Sequence, residues 1–406
     1  MIRGAFLSLT VWVWWSAGSL VAGDWPQFRG PNGRAIADDV SVPTRWSLTP
    51  DKRENIRWVA ELPGRGLSSV VVADGRVYVT ACDGPDQTKL ITLCFDARSG
   101  KKLWQRSILA TGGTNCHPKT CMAAPTPVTD GKHVFALFAT ADLVAYDRDG
   151  NLLWYRSLTG DYPSITNQVG MASSPILAQG RVIVPMDNSG ESFLAAVDAQ
   201  TGKNVWRIDR PRDINWVTPL LRGDEIIFQN PEELVAYDVA SGERRWSFAE
   251  GRRSEIPSPI LGPGGEILSP GSELIAVEPS KPGETPRVRW KSSRLRGAAH
   301  PTPLVYRNRV FALNGSFVLQ CGDATTGKHV WDLRLKGPIS ASPVAANGRV
   351  YVVNEQGQTF VIRFDDKEGS IEATNHVNEE ILATPAIADG AIFLRSDKKL
   401  ICIRGD

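Results

Sequence analysis

The residues whose types could do chemistry are concentrated in two unusually long connections of the chain. Counted from a repeated Trp to the next repeated Ser or Thr, these connections take 22 and 20 residues, and most others take 10 to 12. Their polar side chains include His117, Lys119, Tyr162, Asn167 and Gln168. Such groups bind polar ligands or protein partners, and nothing in their order marks a general acid or base. We therefore predict a binding surface here and assign no catalytic residue.

The cysteines are the second group of residues that could do chemistry, either as disulfides or as metal ligands. Their positions in the sequence divide them into two kinds. Cys116 and Cys121 lie together in the first long connection, so we predict a local disulfide in an oxidising compartment. A haem attachment would need the order Cys-x-x-Cys-His, and a zinc site would need two more ligands nearby, so no metal ligand is assigned. Cys94, Cys321 and Cys402 occupy a position that is Ala in other repeats, which indicates small core residues.

An internal repeat positions these connections. Eight segments open an apolar run with Ser or Thr, usually followed by Pro, at intervals of 40 to 57 residues. Proline has no backbone N–H and is tolerated at the first residue of a strand. We therefore expect a strand to begin at each of these positions. They are Ser69, Thr126, Ser174, Thr218, Ser258, Thr302, Ser342 and Thr384.

Each repeat contains four short strands, and the third and fourth carry the clearest pattern. The third ends in an acidic turn such as Asp198 to Gly202, and Trp206 follows four residues later. The last repeat stops near Ile403 after three strands, and residues 55–59 supply a copy of the missing fourth. The pattern predicts an all-β, eight-bladed β-propeller of four-stranded antiparallel blades, closed by the N-terminal strand completing the C-terminal blade.

Seven tryptophans occupy the repeated position on the fourth strand. Large aromatic side chains at one structural position bury much apolar surface, and each indole N–H needs an acceptor. We predict that they dock neighbouring blades together and do not form a ligand site. The seven are Trp58, Trp104, Trp154, Trp206, Trp246, Trp290 and Trp331.

In a propeller, insertions in one class of connection lie on one face, which is often the binding face. The shorter connections bring further polar or aromatic groups to that face, with Glu255 and Glu380 also at the rim. The alternative interpretation is that the long connections only plug and solvate the channel mouth. The predicted binding face consists of Arg65, His117, Lys119, Tyr162, Asn167, Gln168, Trp216 and His300.

The first residues of the chain have the pattern of a secretory signal peptide. Arg3 precedes an apolar stretch too short to span a bilayer, and small residues suitable for cleavage follow near position 23. A lipoprotein signal would place Cys where Asp24 stands. We therefore expect a signal peptide at 1–23, an N-terminal extension at 24–54 and the propeller at 55–406, in a periplasm or outside the cell.

The charge balance excludes several partners. The chain has 46 basic and 44 acidic side chains and a net charge of +2. Such a balanced charge does not predict binding to nucleic acid or to anionic lipid. No second apolar stretch predicts a transmembrane span. We expect a monomer.

The segment 196–206, with Asp198, Gly202, Lys203 and Trp206, resembles the repeat of the quinoprotein alcohol dehydrogenase-like superfamily, often named after pyrroloquinoline quinone (PQQ). The resemblance covers nearly the whole chain after the signal peptide. Residues 24–31 are similar to the start of secreted PQQ-like propellers from planctomycetes and related bacteria, which are commonly described as relatives of BamB, the outer-membrane assembly lipoprotein.

The resemblance implies two classes of function. A PQQ- and calcium-dependent dehydrogenase of alcohols or sugars would need converging carboxylate and amide oxygens and a catalytic Asp, and neither can be carried over to named residues here. We therefore expect an exported, non-catalytic binding or scaffolding propeller without a cofactor. Its partner would be a protein or glycan of the cell envelope, and a BamB-like part in outer-membrane protein assembly is one version. The dehydrogenase, with PQQ and calcium, is the alternative.

Overall fold

The computed structural model describes residues 23–297 and 300–405, and these form an eight-bladed β-propeller. Residues 1–22, with nearly all of the predicted signal peptide, lie outside the described part of the chain. The predicted fold class is confirmed, since every blade contains a four-stranded antiparallel sheet. In the described ranges, regular helix is confined to one turn of α-helix and one of 3₁₀-helix.

The strands are short and follow one another from the axis outward in each blade. The extension and the start of the propeller contribute the 3₁₀ turn Pro31–Gly33, β1 (Ser47–Thr49), β2 (Lys52–Glu54) and β3 (Ile56–Glu61). Blade 1 consists of β4 (Val71–Ala73), β5 (Arg76–Asp83), β6 (Lys89–Asp96) and β7 (Lys102–Leu109). Blade 2 consists of β8 (Val128–Thr129), β9 (His133–Leu137), β10 (Asp142–Asp147) and β11 (Leu152–Ser157), followed by helix α1 (Leu158–Asp161).

Blades 3 to 5 repeat the same order. Blade 3 has β12 (Ile176–Ala178), β13 (Arg181–Met186), β14 (Phe193–Asp198) and β15 (Asn204–Asp209). Blade 4 has β16 (Leu220–Arg222), β17 (Glu225–Gln229), β18 (Leu234–Asp238) and β19 (Arg244–Phe248). Blade 5 has β20 (Ile260–Leu261), β21 (Ile267–Ser269), β22 (Leu274–Glu278) and β23 (Arg287–Ser292).

Blades 6 to 8 complete the ring. Blade 6 has β24 (Leu304–Tyr306), β25 (Arg309–Leu313), β26 (Val318–Asp323) and β27 (His329–Arg334). Blade 7 has β28 (Val344–Ala346), β29 (Arg349–Val353), β30 (Gln358–Phe364) and β31 (Gly369–His376), and β1 and β2 extend its sheet. Blade 8 has β32 (Ala386–Ala388), β33 (Ala391–Arg395) and β34 (Lys399–Ile403).

The ring closes between the two ends of the chain. Strand β3 pairs antiparallel with β34, with Ile56 opposite Ile403 and Trp58 opposite Cys402. Blade 8 therefore takes its outer strand from the N-terminal part of the propeller. Closure of this kind ties blade 8 to blade 1, since β3 leads directly into blade 1.

Most of the repeated tryptophans join one blade to the next. The indole of Trp206 donates from Nε1 to the carbonyl of Val239 at 3.0 Å and covers Gly242 in the turn of the following blade. A Cβ on Gly242 would lie 2.7 Å from the ring, and its φ of +75° also favours glycine. The same donor–carbonyl contact is made by Trp58, Trp104, Trp154, Trp290 and Trp331.

Trp246 satisfies its N–H in a different way. The turn of the next blade has no glycine beneath this ring, and Trp246 donates to the Glu225 carboxylate of its own blade at 3.1 Å. The third-strand cysteines pack against the tryptophans: Cys94 lies opposite Trp104 in the sheet register. Cys94, like Cys321 and Cys402, is fully buried, which confirms the core interpretation, and burial raises the pKa of each thiol to about 12.

The N-terminal extension enters the central channel from one face of the ring. This face carries the turns between the first and second strands and between the third and fourth strands of each blade. Trp25 forms a β-bridge to Val72 on the innermost strand of blade 1 and is completely buried. Arg29 reaches blade 6, where its guanidinium donates to the carbonyls of Thr302 and Pro303 at 3.1 and 2.8 Å. The extension therefore occupies this end of the channel, and we call this side the turn face and the opposite side, with the long connections, the loop face.

Candidate binding site at the channel mouth

The hydroxyls that open the repeats form a hydrogen-bonded arc around the axis. The backbone N–H of Ser69 donates to the Thr126 hydroxyl at 2.9 Å, and that of Thr126 donates to the Ser174 hydroxyl at 3.0 Å. The pattern continues through five more links to Thr384, each at 3.0 to 3.1 Å. Because a buried N–H must be paired, the repeated Ser or Thr satisfies the neighbouring blade as well as starting its own strand. This arc is the floor of the mouth on the loop face.

Above this floor the two long connections pack against each other. The His117 N–H donates to the carbonyl of Val169 at 3.0 Å, and the Asn167 side-chain amide donates to the carbonyl of Gly113 at 2.8 Å. Asn167 also accepts from the N–H of Gly170 at 2.8 Å, which fixes the second connection in a turn. The two connections, residues 110–125 and 158–173, therefore form one unit, which we call the cap.

Lys119 connects the cap, which lies between blades 1 and 3, to blade 7. Its ammonium lies 2.8 and 3.0 Å from the two carboxylate oxygens of Glu355 in blade 7. Glu355 also accepts from the Ser340 hydroxyl at 2.6 Å. Burial alone would raise the pKa of Glu355, but the hydrogen bonds from Lys119 and Ser340 hold that pKa below its usual value. The carboxylate is therefore charged when it holds the cap.

His300 lies beside this ion pair. The imidazole is accessible at the surface, but its neighbours exclude part of the surrounding water. This desolvation and the positive charge of Lys119 lower the pKa of His300, with a smaller contribution from His117 and an opposing one from Glu355. The imidazole is therefore neutral at neutral pH and offers one donor and one acceptor. The structure thus brings together His117, Lys119 and His300 of the predicted binding face, together with Glu355.

Arg65 and Trp216 anchor the rim. Arg65 donates to the Pro118 carbonyl of the cap, and its Nε lies 3.4 Å from the Asp397 carboxylate of blade 8. Trp216 donates from its indole to the carbonyl of Gly170 at 2.5 Å. Both predicted residues therefore hold the cap in place from opposite sides of the mouth.

Two residues of the predicted binding face lie differently from the rest. Tyr162 contacts blade 3: its ring packs 4.8 Å from that of Phe193, and its hydroxyl accepts from Asn204 at 2.7 Å. The turn of helix α1, with Leu158 buried, directs the chain outward before it returns to the mouth, so Tyr162 does not join the cluster. Gln168 is exposed on the top of the cap.

The structure does not join Cys116 to Cys121. All six cysteines lie in the described ranges and all are free thiols. Cys121 is fully buried beside Cys82, whereas Cys116 is partly exposed and accepts from the Gln87 amide at 3.4 Å. The apolar run that follows Cys121 places its side chain inside a buried cluster with Cys82, whereas Cys116 lies at the partly exposed margin of that cluster.

The mouth does not fit the cofactor of the alternative function. Calcium takes six to eight oxygen ligands. Of the carboxylates at the mouth, Glu355 is engaged by Lys119 and Ser340, Glu379 by Ser396 and Lys399, and Asp397 by Arg65. Among the residues that the structure describes, no group of three or more His, Cys, Asp or Glu side chains is arranged to hold a metal ion. We therefore derive no chemical step through PQQ or calcium.

Sequence reasoning missed Glu355 and Arg29. Glu355 lies in the turn between the second and third strands of blade 7, and such turns are on the loop face in every blade. That rule of the fold could have drawn attention to it. Arg29 belongs to the run 24–31, which carried a family resemblance but no predicted place in the structure.

The fold and the mouth define a PQQ-like repeat propeller whose loop face presents a polar surface. Residues 51–247, 270–372 and 318–404 match the family described as outer membrane protein assembly factor BamB. The match covers most of the chain, and the protein belongs to this family; it is a BamB-like propeller.

Relatives with known names include two assembly factors and one dehydrogenase. The chain is 22% identical to BamB of Bordetella pertussis, over 96% of this chain and 83% of that protein. It is 25% identical to BamB of Alkalilimnicola ehrlichii, over 50% of this chain and 48% of that one. A polyvinylalcohol dehydrogenase of Sphingopyxis is 22% identical, but the match spans 47% of this chain and 35% of the enzyme.

Solved structures share the propeller with low sequence identity. BamB from Moraxella catarrhalis has a TM-score of 0.61 at 14% identity, covering 86% of this chain and 98% of that one. A quinohemoprotein alcohol dehydrogenase from Comamonas testosteroni has a TM-score of 0.69 at 13% identity, covering 96% and 82%. At such identities these likenesses show the fold alone. Within the described ranges, no helix has the length and apolar character needed to cross a membrane.

Proposed function

We propose that the protein is an exported, non-catalytic scaffold that binds a protein partner of the cell envelope through its loop face, in outer-membrane protein assembly. The observation that carries this proposal is the cap. Two long connections are held across the mouth by Lys119, Arg65 and Trp216, and they leave His117, Gln168 and His300 exposed above it. A rigid scaffold that presents exposed loop residues is the usual arrangement for recognition.

Membership of the BamB family supports the choice of partner. BamB of Bordetella pertussis matches 96% of this chain and 83% of its own length, whereas the dehydrogenase match covers 47% of this chain and 35% of the enzyme. The turn-face end of the channel is occupied by the extension, including the buried Trp25 and Arg29. A partner therefore meets the outer surface of the cap and the rim, and it does not need a passage through the ring.

Affinity capture from envelope extract tests this proposal. The bait is the purified protein, and the loop-face variant is His117→Ala/Gln168→Ala/His300→Ala, which removes exposed groups and keeps the Lys119–Glu355 pair. The matched control is Arg98→Ala/Lys281→Ala on the turn face, where both side chains are exposed and unpaired. We expect the control to recover the same envelope protein as the natural sequence and the loop-face variant to recover at least tenfold less.

Two outcomes of that experiment would contradict the proposal. Equal recovery by the loop-face variant would place the partner elsewhere on the ring. Recovery of a glycan without any specific protein would replace the protein partner by a saccharide.

The proposed location follows from the same function. Residues 1–23 would direct export, and since Asp24 stands where a lipid-anchored protein would have Cys, the partner would supply the attachment to the membrane. Cell fractionation with the natural leader is expected to release the protein with the soluble periplasmic or secreted fraction at high salt. Retention with the membrane after salt and carbonate washes would contradict a partner-mediated attachment.

Adding PQQ and calcium to the purified protein tests the proposal that it is not a dehydrogenase. Because the donors at the mouth are engaged with one another, we expect neither a quinone absorbance band nor alcohol-dependent dye reduction. Dye reduction that depends on PQQ, calcium and an alcohol or sugar would overturn the scaffold proposal.

A further inference from the structure

A pocket on the turn face combines three arginines, and none of the described residues that line it is acidic. It lies between the N-terminal extension and the innermost strands of blades 5 and 6, and it encloses about 190 Å³. This is below the roughly 300–1,000 Å³ of sites that enclose drug-sized ligands, so it suits a small group. Its lining includes Arg29, Arg34, Tyr306, Arg307 and Asn308.

Arg29 is the buried member of this set. Only 2% of the residue is exposed, and its guanidinium donates to three backbone carbonyls, including that of Gly33 at 3.1 Å. Among the described residues no carboxylate pairs with its charge, and burial alone lowers the pKa of Arg29 to about 9. A buried cation without a counter-charge is costly, and an anion in the adjacent pocket would reduce that cost.

Arg34 and Arg307 are the accessible members. Both are exposed, and neither guanidinium makes a hydrogen bond or ion pair with another described residue. Arg307 lies 5.3 Å from the ring of Tyr306, which fixes one side of its planar group. Other arginines on the turn face do form ion pairs. Arg76, Arg148 and Arg309 are each paired with an aspartate.

The carboxylates that border the pocket are already engaged. Asp38 accepts from the Tyr306 hydroxyl at 2.5 Å and from the Asn347 N–H at 2.8 Å. Glu266, behind Gly262, accepts from the N–H of Gly264 at 2.9 Å and lies 3.8 Å from Arg289. Neither carboxylate contacts Arg34 or Arg307, so within the described part of the chain the three guanidiniums have no paired anion.

We propose that this pocket binds a tetrahedral oxyanion, such as the phosphate group of a small molecule or of a lipid headgroup. Guanidinium groups present paired N–H donors that match the oxygens of such an anion, and two or more of them favour a doubly charged group. Arg34 and Arg307 contact the anion, and Arg29 contributes its fixed charge from the wall. The site is independent of the loop face, so its failure would leave the proposed scaffold function untouched.

Titration calorimetry of the purified protein at constant ionic strength tests the site. The probes are inorganic phosphate, a hexose phosphate, and vesicles of phosphatidylcholine with or without phosphatidylglycerol, and chloride is the reference. The variant is Arg34→Gln/Arg307→Gln, which is expected to keep its unfolding temperature because neither guanidinium makes a hydrogen bond or ion pair with a described residue. The charge-matched control is Arg212→Gln/Arg363→Gln, two exposed arginines whose guanidiniums likewise make no hydrogen bond or close ion pair with a described residue.

We expect at least one phosphate probe to bind, with at least tenfold weaker binding by the Arg34→Gln/Arg307→Gln variant and less than a twofold change in the control. Binding of the soluble phosphates identifies a small molecule as the source, and binding confined to phosphatidylglycerol vesicles identifies a headgroup. Absence of binding by all three probes would overturn the proposal. An equal loss in the control variant would also overturn it, since net charge would then account for the affinity.

Discussion

The backbone N–H of Ser258 in blade 5 donates to the hydroxyl of Thr302 in blade 6 at 3.0 Å. Both residues are buried and both open an innermost strand, so the bond joins two blades next to the axis. Equivalent bonds run from Ser69 to Thr384. A residue that sequence analysis treated as a strand start is therefore also a contact between blades.

Replacing the acceptor in this bond tests its contribution to stability. Thr302→Val keeps the shape of the side chain but leaves the N–H of Ser258 without a partner, and we expect a loss of about 1–3 kcal/mol in the free energy of unfolding. Thr302→Ser retains the hydroxyl and should lose less. Urea unfolding followed by tryptophan fluorescence measures both, and equal stabilities for the two variants would show that the bond contributes nothing.

Truncating a blade-docking tryptophan is expected to cost more. Trp206→Ala removes the ring that covers Gly242, and we predict a loss of about 3–5 kcal/mol. Trp206→Phe keeps an aromatic ring and loses mainly the bond to the Val239 carbonyl, so its loss should be smaller. An unchanged unfolding midpoint for Trp206→Ala would contradict the docking role.

The titration of His300 reports the position of Lys119. Desolvation and Lys119 lower the pKa of His300, so its neutral form is favoured in the folded protein. The stability that this shift contributes is present above the unfolded pKa of about 6.5 and is lost as the pH falls through the lower folded value. Lys119→Met removes the cation, and we expect the His300 pKa to rise.

An NMR titration of the imidazole protons measures this change, with Lys132→Met, away from the mouth, as the control. Glu355 also makes the folded protein less stable in acid. Lys119 and Ser340 hold its pKa low, and the stability that this lowered pKa contributes is lost when acid protonates the carboxylate. Acid should therefore loosen the cap. A His300 pKa that stays constant or falls in Lys119→Met would show that Lys119 does not lie over the mouth.

Alkylation distinguishes the six thiols. Cys94, Cys321 and Cys402 are buried with pKa values raised to about 12, and Cys82 and Cys121 are also inaccessible. Cys116 is the one partly exposed thiol, so brief treatment of the reduced native protein with iodoacetamide at pH 8 should label it first. Peptide mass spectrometry identifies the site, and Cys116→Ser should lose the early label. Early labelling of Cys121 would contradict its burial beside Cys82.

The fold was predictable because its signals are local and repeated. An acidic turn, a glycine and a tryptophan four residues later recur along the chain, and a blade with four strands can bury its faces only against neighbours. The same local signals identified Trp206 as a docking residue and Cys94 as a core residue. They could not reveal the bond from Ser258 to Thr302, which depends on how adjacent blades meet.

The site was less predictable because its contacts join distant parts of the chain. Lys119 and Glu355 are 236 positions apart, and no spacing rule pairs them. Loop length directed attention to the two connections, but the direction of each side chain follows from local packing. Leu158 enters the core and sends Tyr162 outward, and Cys121 turns inward to Cys82 rather than to its sequence neighbour Cys116.

Photo-crosslinking in the intact cell envelope tests the central claim most directly. A photoreactive phenylalanine analogue is placed at Gln168 on the cap or at Arg98 on the turn face, since both side chains are exposed. The loop-face account predicts a discrete crosslinked envelope protein from position 168, absent from position 98 and reduced at least tenfold by His117→Ala/His300→Ala. The same product from position 98, or none from position 168, would contradict it.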